Sequence, residues 1–281
     1  MKAPWHDPRG QVSMLKASVF GLLFVPGALL AVDFASGSLG PRPTEALVHE
    51  TGLWAIRLLL ASLAVTPLRA AWRRPELGQL RRMTGVAAFA YAALHLGAYA
   101  ADETWDLGKV VSEIWLRVYL TIGFLALMIL SILAATSVDL VVRLLGGARW
   151  RRLHRWAYVA AGLACVHFFL QSKVGITQPL AMAACALWLG AWRMANRHGA
   201  AMEAGAPIFL GASVVAAVAA TALAEAGWYH FKLDAPLAVV LGANLDPEAG
   251  TRPAWIVLAL GLTVLAGAVW RRTVWCRAAA A

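Results

Sequence analysis

Apolar runs of about 16 to 22 residues recur eight times in this chain, and each is long enough to cross the hydrocarbon core of a bilayer as a helix. That pattern leaves few folds open. Backbone buried in lipid must satisfy its own N–H and C=O groups, so spanning segments are helices or strands of a closed barrel. Strict apolar–polar alternation, which a barrel strand requires, is absent. The predicted fold is therefore an all-α polytopic helical membrane bundle. Its spans are read at 17–32, 52–70, 83–100, 114–136, 153–171, 175–192, 207–225 and 254–270. The first is read as a retained span, because its polar leader is long and no small-x-small cleavage pattern follows. The longest polar loop, 226–253, is too short to fold a core of its own.

Charge orients the bundle. Alternating the loops across the bilayer places 18 of the 25 lysines and arginines on one face, including Arg81, Arg82, Arg149, Arg151 and Arg152. Five lie on the other face, and Arg57 and Arg117 fall inside predicted spans. The positive-inside rule makes the rich face cytoplasmic and puts both termini there. Topology thus accounts for the net charge of +10, and no nucleic-acid partner is expected. Eleven of the fifteen acidic residues fall on the outer side, among them Asp102, Glu103, Asp106 and Glu113. Their field would steer a positively charged partner, unless they serve only solvation.

Two spans carry a histidine at matching depth. His95 lies fourteen residues after Arg81, and His167 lies thirteen after His154, which itself follows the second arginine cluster. Both helices enter from the arginine-rich face, so both imidazoles reach one level near the outer ends. Ionisable residues inside a membrane mark function by default. Neutral imidazole is a good iron ligand, and facing helices of a bundle supply one each, so the pair is read as axial haem ligands. The bland alternative is two histidines hydrogen-bonded to backbone. Arg57 and Arg117 fall in the same layer and are candidates for haem propionates, because guanidinium pairs with carboxylate through two parallel bonds. Snorkelling to the interface is their alternative role.

His154 sits at the cytoplasmic end of the helix that carries His167. Thirteen residues at roughly 100° each leave the two rings about 140° apart around a straight helix. A kink, or an irregular start before the helix, would relax that. One-histidine haem ligation, contact with a flavin or another anionic cofactor beside Arg81 and Arg82, and a hydrogen-bonded interfacial role all stay open. Three cysteines form neither CxxC nor CxxCH, so no iron–sulfur ligation or covalent haem is expected.

The stretches GLWAIRLLLASLAVTPLR (52–69), LRRMTGVAAFAYAALHLGAY (80–99), RVYLTIGFLALMILSILAATS (117–137) and RWRRLHRWAYVAAGLACVHFFL (149–170) resemble the MsrQ (formerly YedZ) family. These are haem-binding membrane subunits of a periplasmic methionine sulfoxide reductase system, within the ferric-reductase-like transmembrane superfamily. The resemblance covers roughly 15–195, read as a haem-binding transmembrane domain. Residues 205–272 are then an extension with two further spans. The resemblance implies haem b, FMN in some members, and ligand histidines at His95, His154 and His167. It also implies residence in a bacterial inner membrane and electron delivery to a periplasmic molybdopterin subunit, MsrP. No GxGxxG follows a strand, so electrons would arrive from the quinone pool or a separate cytoplasmic flavin reductase. Two other readings compete. One is another membrane redox cytochrome, such as a ferric reductase or a respiratory cytochrome b subunit. The other is a non-redox transporter, disfavoured because no broken-helix pair is evident.

Overall fold

A computed structural model describes residues 5–6, 10–172, 175–197 and 207–280. Every named element among them is helical. Among the described residues, seven helical stretches are long and apolar enough to span a bilayer: Met14–Ala35, Pro43–Ala71, Pro75–Asp102, Val118–Ala135, Gly147–Gln171, Pro207–Leu233 and Pro253–Arg271. The protein is a multi-pass, all-α membrane protein. The remaining predicted span, 175–192, forms a helix of 21 residues, Thr177–Arg197. It is more polar than the others, with Gln178 and Arg193 inside it, and is not among the seven.

Numbered in chain order, the helices are α1 (Met14–Ala35), α2 (Pro43–Ala71), α3 (Leu80–Asp102), α4 (Leu107–Leu116), α5 (Val118–Ala135), α6 (Asp139–Leu145), α7 (Gly147–Leu153), α8 (Trp156–Gln171), α9 (Thr177–Arg197), α10 (Pro207–Leu233), α11 (Leu237–Ala243) and α12 (Pro253–Ala280). The chain divides into two compact units. One comprises residues 1–65 and 78–167, the other 66–77 and 168–281.

In the first unit, the antiparallel helices α2 and α3 are tied near one end by Ser62 Oγ donating to the Arg81 carbonyl at 2.9 Å. Helix α1 is joined to α3 by a single phenol. Tyr91 Oη donates to the Leu23 carbonyl at 3.0 Å and accepts from the Gly27 amide at 2.7 Å. Leu23 and Gly27 are natural i, i+4 partners, so the hydroxyl is inserted into the helix's own ladder one residue past Pro26. A Cβ on Gly27 would lie 3.1 Å from that oxygen, so glycine is what lets it in. Tyr91→Phe is expected to cost only about 0.5–1.5 kcal/mol, because the two backbone groups can re-pair. Thermal unfolding of the detergent-solubilised protein measures this, and a loss of several kcal/mol would contradict it.

The predicted span 114–136 is in fact two elements. Helix α4 ends at Leu116, Arg117 is extended (φ −105°, ψ 107°), and α5 starts at Val118. Periodicity alone could not see this break, since the apolar run continues through it. The junction is fastened by Thr121 Oγ1 donating to the Ile114 carbonyl at 2.6 Å. Helix α4 is capped by Asp106, whose carboxylate accepts from the Lys109 amide at 2.9 Å. It buries Val110 and exposes Leu107, Val111, Trp115 and Leu116, the pattern of a helix lying at a membrane interface.

The second unit packs Ala71, Trp192, Leu210 and Ala268 at its core, with Trp72, Phe209 and Leu265 against them. Small residues let helix backbones approach closely where lipid supplies no hydrophobic drive. The indoles do double duty: Trp72 Nε1 donates to the Val264 carbonyl at 3.0 Å, and Trp188 Nε1 to Ser213 Oγ at 3.1 Å.

Candidate functional site

His95 stands near the C-terminal end of α3, half-buried, and its Nδ1 lies 2.7 Å from the carbonyl oxygen of Val48 on α2. A carbonyl only accepts, so Nδ1 carries the proton and Nε2 keeps its lone pair. His167 repeats the arrangement near the end of α8. Its Nδ1 lies 2.7 Å from the Tyr119 carbonyl on α5, which again leaves Nε2 unprotonated. Backbone carbonyls that hold the far nitrogen of an imidazole fix its tautomer and orientation, as the outer shell of a metal site does. Among the described residues, neither Nε2 has a hydrogen-bond partner.

The two rings lie close to each other. Their centroids are 6.1 Å apart and their planes cross at 78°. Two metal–nitrogen bonds of about 2.0–2.1 Å, with roughly 1.1 Å from each Nε2 to its ring centre, would put coaxial centroids about 6.3 Å apart. The observed spacing matches that figure, and with Nδ1–H given to a carbonyl each ring has Nε2 left to serve as a ligand. The residues present thus fit a planar metal macrocycle held between two axial histidines.

The other predicted site residues are placed differently. His154 lies in the turn between α7 and α8, ahead of regular helix, so straight-helix arithmetic does not govern it. Its Nδ1 is 3.1 Å from the Trp150 carbonyl, its Nε2 is 3.3 Å from Ser137 Oγ, and the Trp150 indole stacks on it at 3.9 Å. Both nitrogens therefore have protein partners. Arg82 pairs with Asp139, and that hydrogen bond and charge hold the Asp139 carboxyl below its usual range. The Arg81 carbonyl receives Ser62.

Arg117 was expected within a span at the histidine layer. It instead occupies the α4–α5 junction, half-exposed, with Nη2 2.9 Å from Glu113 and Nη1 3.2 Å from Tyr119 Oη. Glu113 in turn accepts from Tyr99 Oη at 2.9 Å. The guanidinium thus closes a polar chain from α4 to the residue whose carbonyl anchors His167. Arg57 lies over the Trp54 indole, 5.1 Å from its centre. Five residues at roughly 100° set it about 140° round α2 from Gly52, off the face that receives His95. The structure brings His95 and His167 together and leaves Arg57, Arg82 and His154 with other partners.

Sequence reasoning missed the groups that hold the histidines. The Val48 and Tyr119 carbonyls have no signature in side-chain chemistry. Spacing offered the signal: Val48 precedes His95 by 47 residues, and Tyr119 precedes His167 by 48.

A helical membrane bundle that brings two imidazoles together at this spacing is of the kind that can hold a metal macrocycle between two helices. Residues 51–165 match the ferric reductase like transmembrane component family, a segment that holds His95 and His154 and stops two residues short of His167. The similarity to individual proteins extends further. A protein of Azospira oryzae is 39% identical over 189 residues, 66% of this chain and 81% of the relative. One of Rhodospirillum rubrum is 40% identical over 169 residues, covering 60% and 81%. One of Caulobacter vibrioides is 39% identical over 181 residues, covering 63% and 86%. Each carries the name protein-methionine-sulfoxide reductase heme-binding subunit MsrQ. This chain belongs to the MsrQ family. No solved structure matches it.

Proposed function

We propose that the chain holds haem b between His95 and His167 and serves as the membrane electron conduit to a periplasmic methionine sulfoxide reductase. The observation that carries this reading is the pair of carbonyl-anchored imidazoles, 6.1 Å apart between ring centres. The relatives' name, a heme-binding subunit of a methionine sulfoxide reductase, supports it. When bound, haem supplies a site that takes up and releases one electron at a time. The chain's own part is to keep both imidazoles neutral and fixed in orientation.

The outer face is fitted to a partner. Glu103, Asp106 and Glu113 gather on and beside α4, where their negative field would steer a positively charged surface. Lys109 and Arg117 neutralise part of it through pairs with Glu103 and Glu113. The proposed partner is a molybdopterin subunit of the MsrP kind, outside a bacterial inner membrane with both termini of this chain inside. Electrons would come from the quinone pool or a cytoplasmic flavin reductase. An FMN beside Arg81 and Arg82, as in some members of the family, would have to compete with Asp139 for Arg82.

The purified, haem-replete protein should give a b-type band in a dithionite-reduced minus oxidised spectrum. Its absence would sink the redox reading. His154→Ala should leave the low-spin signal of the His95–His167 pair intact, since both His154 nitrogens already have protein partners. Loss of that signal in His154→Ala would reassign the ligands. Co-purification with a periplasmic molybdopterin sulfoxide reductase tests the partner.

A further inference from the structure

The two histidines are seated by the same device, built twice. On α2 the accepting carbonyl is Val48, and the residue four positions on is Gly52; on α5 they are Tyr119 and Gly123. Helical side chains lean toward the N-terminus, so a side chain at i+4 overhangs the carbonyl at i. A Cβ on Gly52 would lie 2.8 Å from His95 Nδ1 and 2.9 Å from Cε1. One on Gly123 would lie 2.8 Å from His167 Nδ1 and 2.9 Å from Cε1. Neither distance is tolerable, and the near atom is the nitrogen that makes the anchoring bond. The repetition extends to the helices that bear the histidines. Seven residues before each, on nearly the same helical face, stands a fully buried alanine, Ala88 or Ala160.

We propose that Gly52 and Gly123 are positioning residues for the two axial imidazoles. By leaving a helix carbonyl uncovered they set each Nδ1–H bond, and with it the Nε2 lone pair and the 78° crossing of the ring planes. A ring is seated over a glycine elsewhere too, since a Cβ on Gly267 would lie 2.4 Å from Trp72 Nε1, so seating of the ligands has to be separated from packing by experiment. Gly97, two residues after His95, and Gly162, five before His167, would meet nothing within 4 Å on gaining a Cβ. They provide control glycines in the two helices that bear the histidines. The proposal rests on the haem reading above.

The test uses full-length, haem-replete, detergent-purified protein. Wild type, His95→Ala and His167→Ala come first: no haem in the wild type, or an unchanged low-spin signal in both variants, would refute the ligand reading itself. Given that reading, Gly52→Ala and Gly123→Ala should each weaken haem binding by about 10–100-fold, the usual cost of losing a ligand's outer support. The haem that remains should turn high-spin, with a shifted midpoint potential. Gly97→Ala and Gly162→Ala should match wild type in haem content, ferric electron paramagnetic resonance and potential. Near-perpendicular imidazoles predict a strongly anisotropic low-spin ferric signal in the wild type and both controls. A His95→Gly background supplied with imidazole separates seating from folding, because no tethered ring remains for the Cβ to meet. There Gly52→Ala should have no further effect on yield, monodispersity or haem. Equal damage in that background, or a wild-type low-spin signal in Gly52→Ala or Gly123→Ala, would overturn the proposal.

Discussion

Replacing either His95 or His167 with alanine is expected to abolish the low-spin haem signal, with haem retained at a tenth of wild type or less. A six-coordinate site that loses one axial imidazole is left five-coordinate and high-spin, or empties. Damage to the fold should be small, which makes the experiment clean. The Val48 and Tyr119 carbonyls keep their own helical partners at Gly52 and Gly123, so removing the imidazole orphans no buried backbone group. Both side chains are only half-buried, so no large closed cavity is created. Yield and monodispersity should therefore stay near wild type while the spectrum changes. Because the two seats are alike, the two variants should behave alike. A low-spin signal that survived in one but vanished in the other would mean that a third group replaces the lost ligand.

The elements legible in the sequence are those whose cause is local. Spans are written in runs of apolar side chains, and the paired level of His95 and His167 follows from counting residues along two helices that enter from one face. What stayed hidden depends on backbone or on partners far along the chain. The carbonyls of Val48 and Tyr119 carry no residue-specific mark, and a glycine in an apolar helix reads as one more small packing residue. Arg57 was placed by depth alone, but a guanidinium also stacks on aromatic faces, and Trp54 lies three residues away on the same helix. Arg117 reads from the sequence as lying inside a span because the apolar run passes through it. The chain is extended there, and the charge reaches the interface instead. The turn that frees His154 from α8 was equally invisible, since Arg149 to Trp156 has neither proline nor an interior glycine to announce a break.

Arg252→Ala is expected to be the most destabilising single change in the second unit, at about 3–5 kcal/mol. Its partner, Glu225, sits deep in α10 with 0% exposure, and the Glu225 carboxylate is reached by Arg252 Nη1 at 3.3 Å and by Asn244 Nδ2 at 3.0 Å. Asn244 is itself held, its side-chain amide donating to the Val240 carbonyl at 3.1 Å and its backbone carbonyl accepting from Trp255 Nε1 at 2.7 Å. The cluster therefore fastens α10, α11 and the start of α12 around one buried carboxylate, beyond the segment shared with the ferric reductase like family. Removing the guanidinium would strand that carboxylate where water cannot reach it, and an uncompensated buried charge is the costly error. Glu225→Gln should cost less, about 1–2 kcal/mol, because a neutral amide can still bond Asn244 and Arg252 can extend toward solvent. Replacing both partners with leucine should recover most of the loss, since well-packed apolar pairs match buried ion pairs in stability. Thermal unfolding of the three variants in detergent gives the ranking. If Arg252→Ala proved no less stable than Glu225→Gln, the carboxylate would not depend on Arg252, and the cluster would be a hydrogen-bonded clasp in which charge contributes nothing.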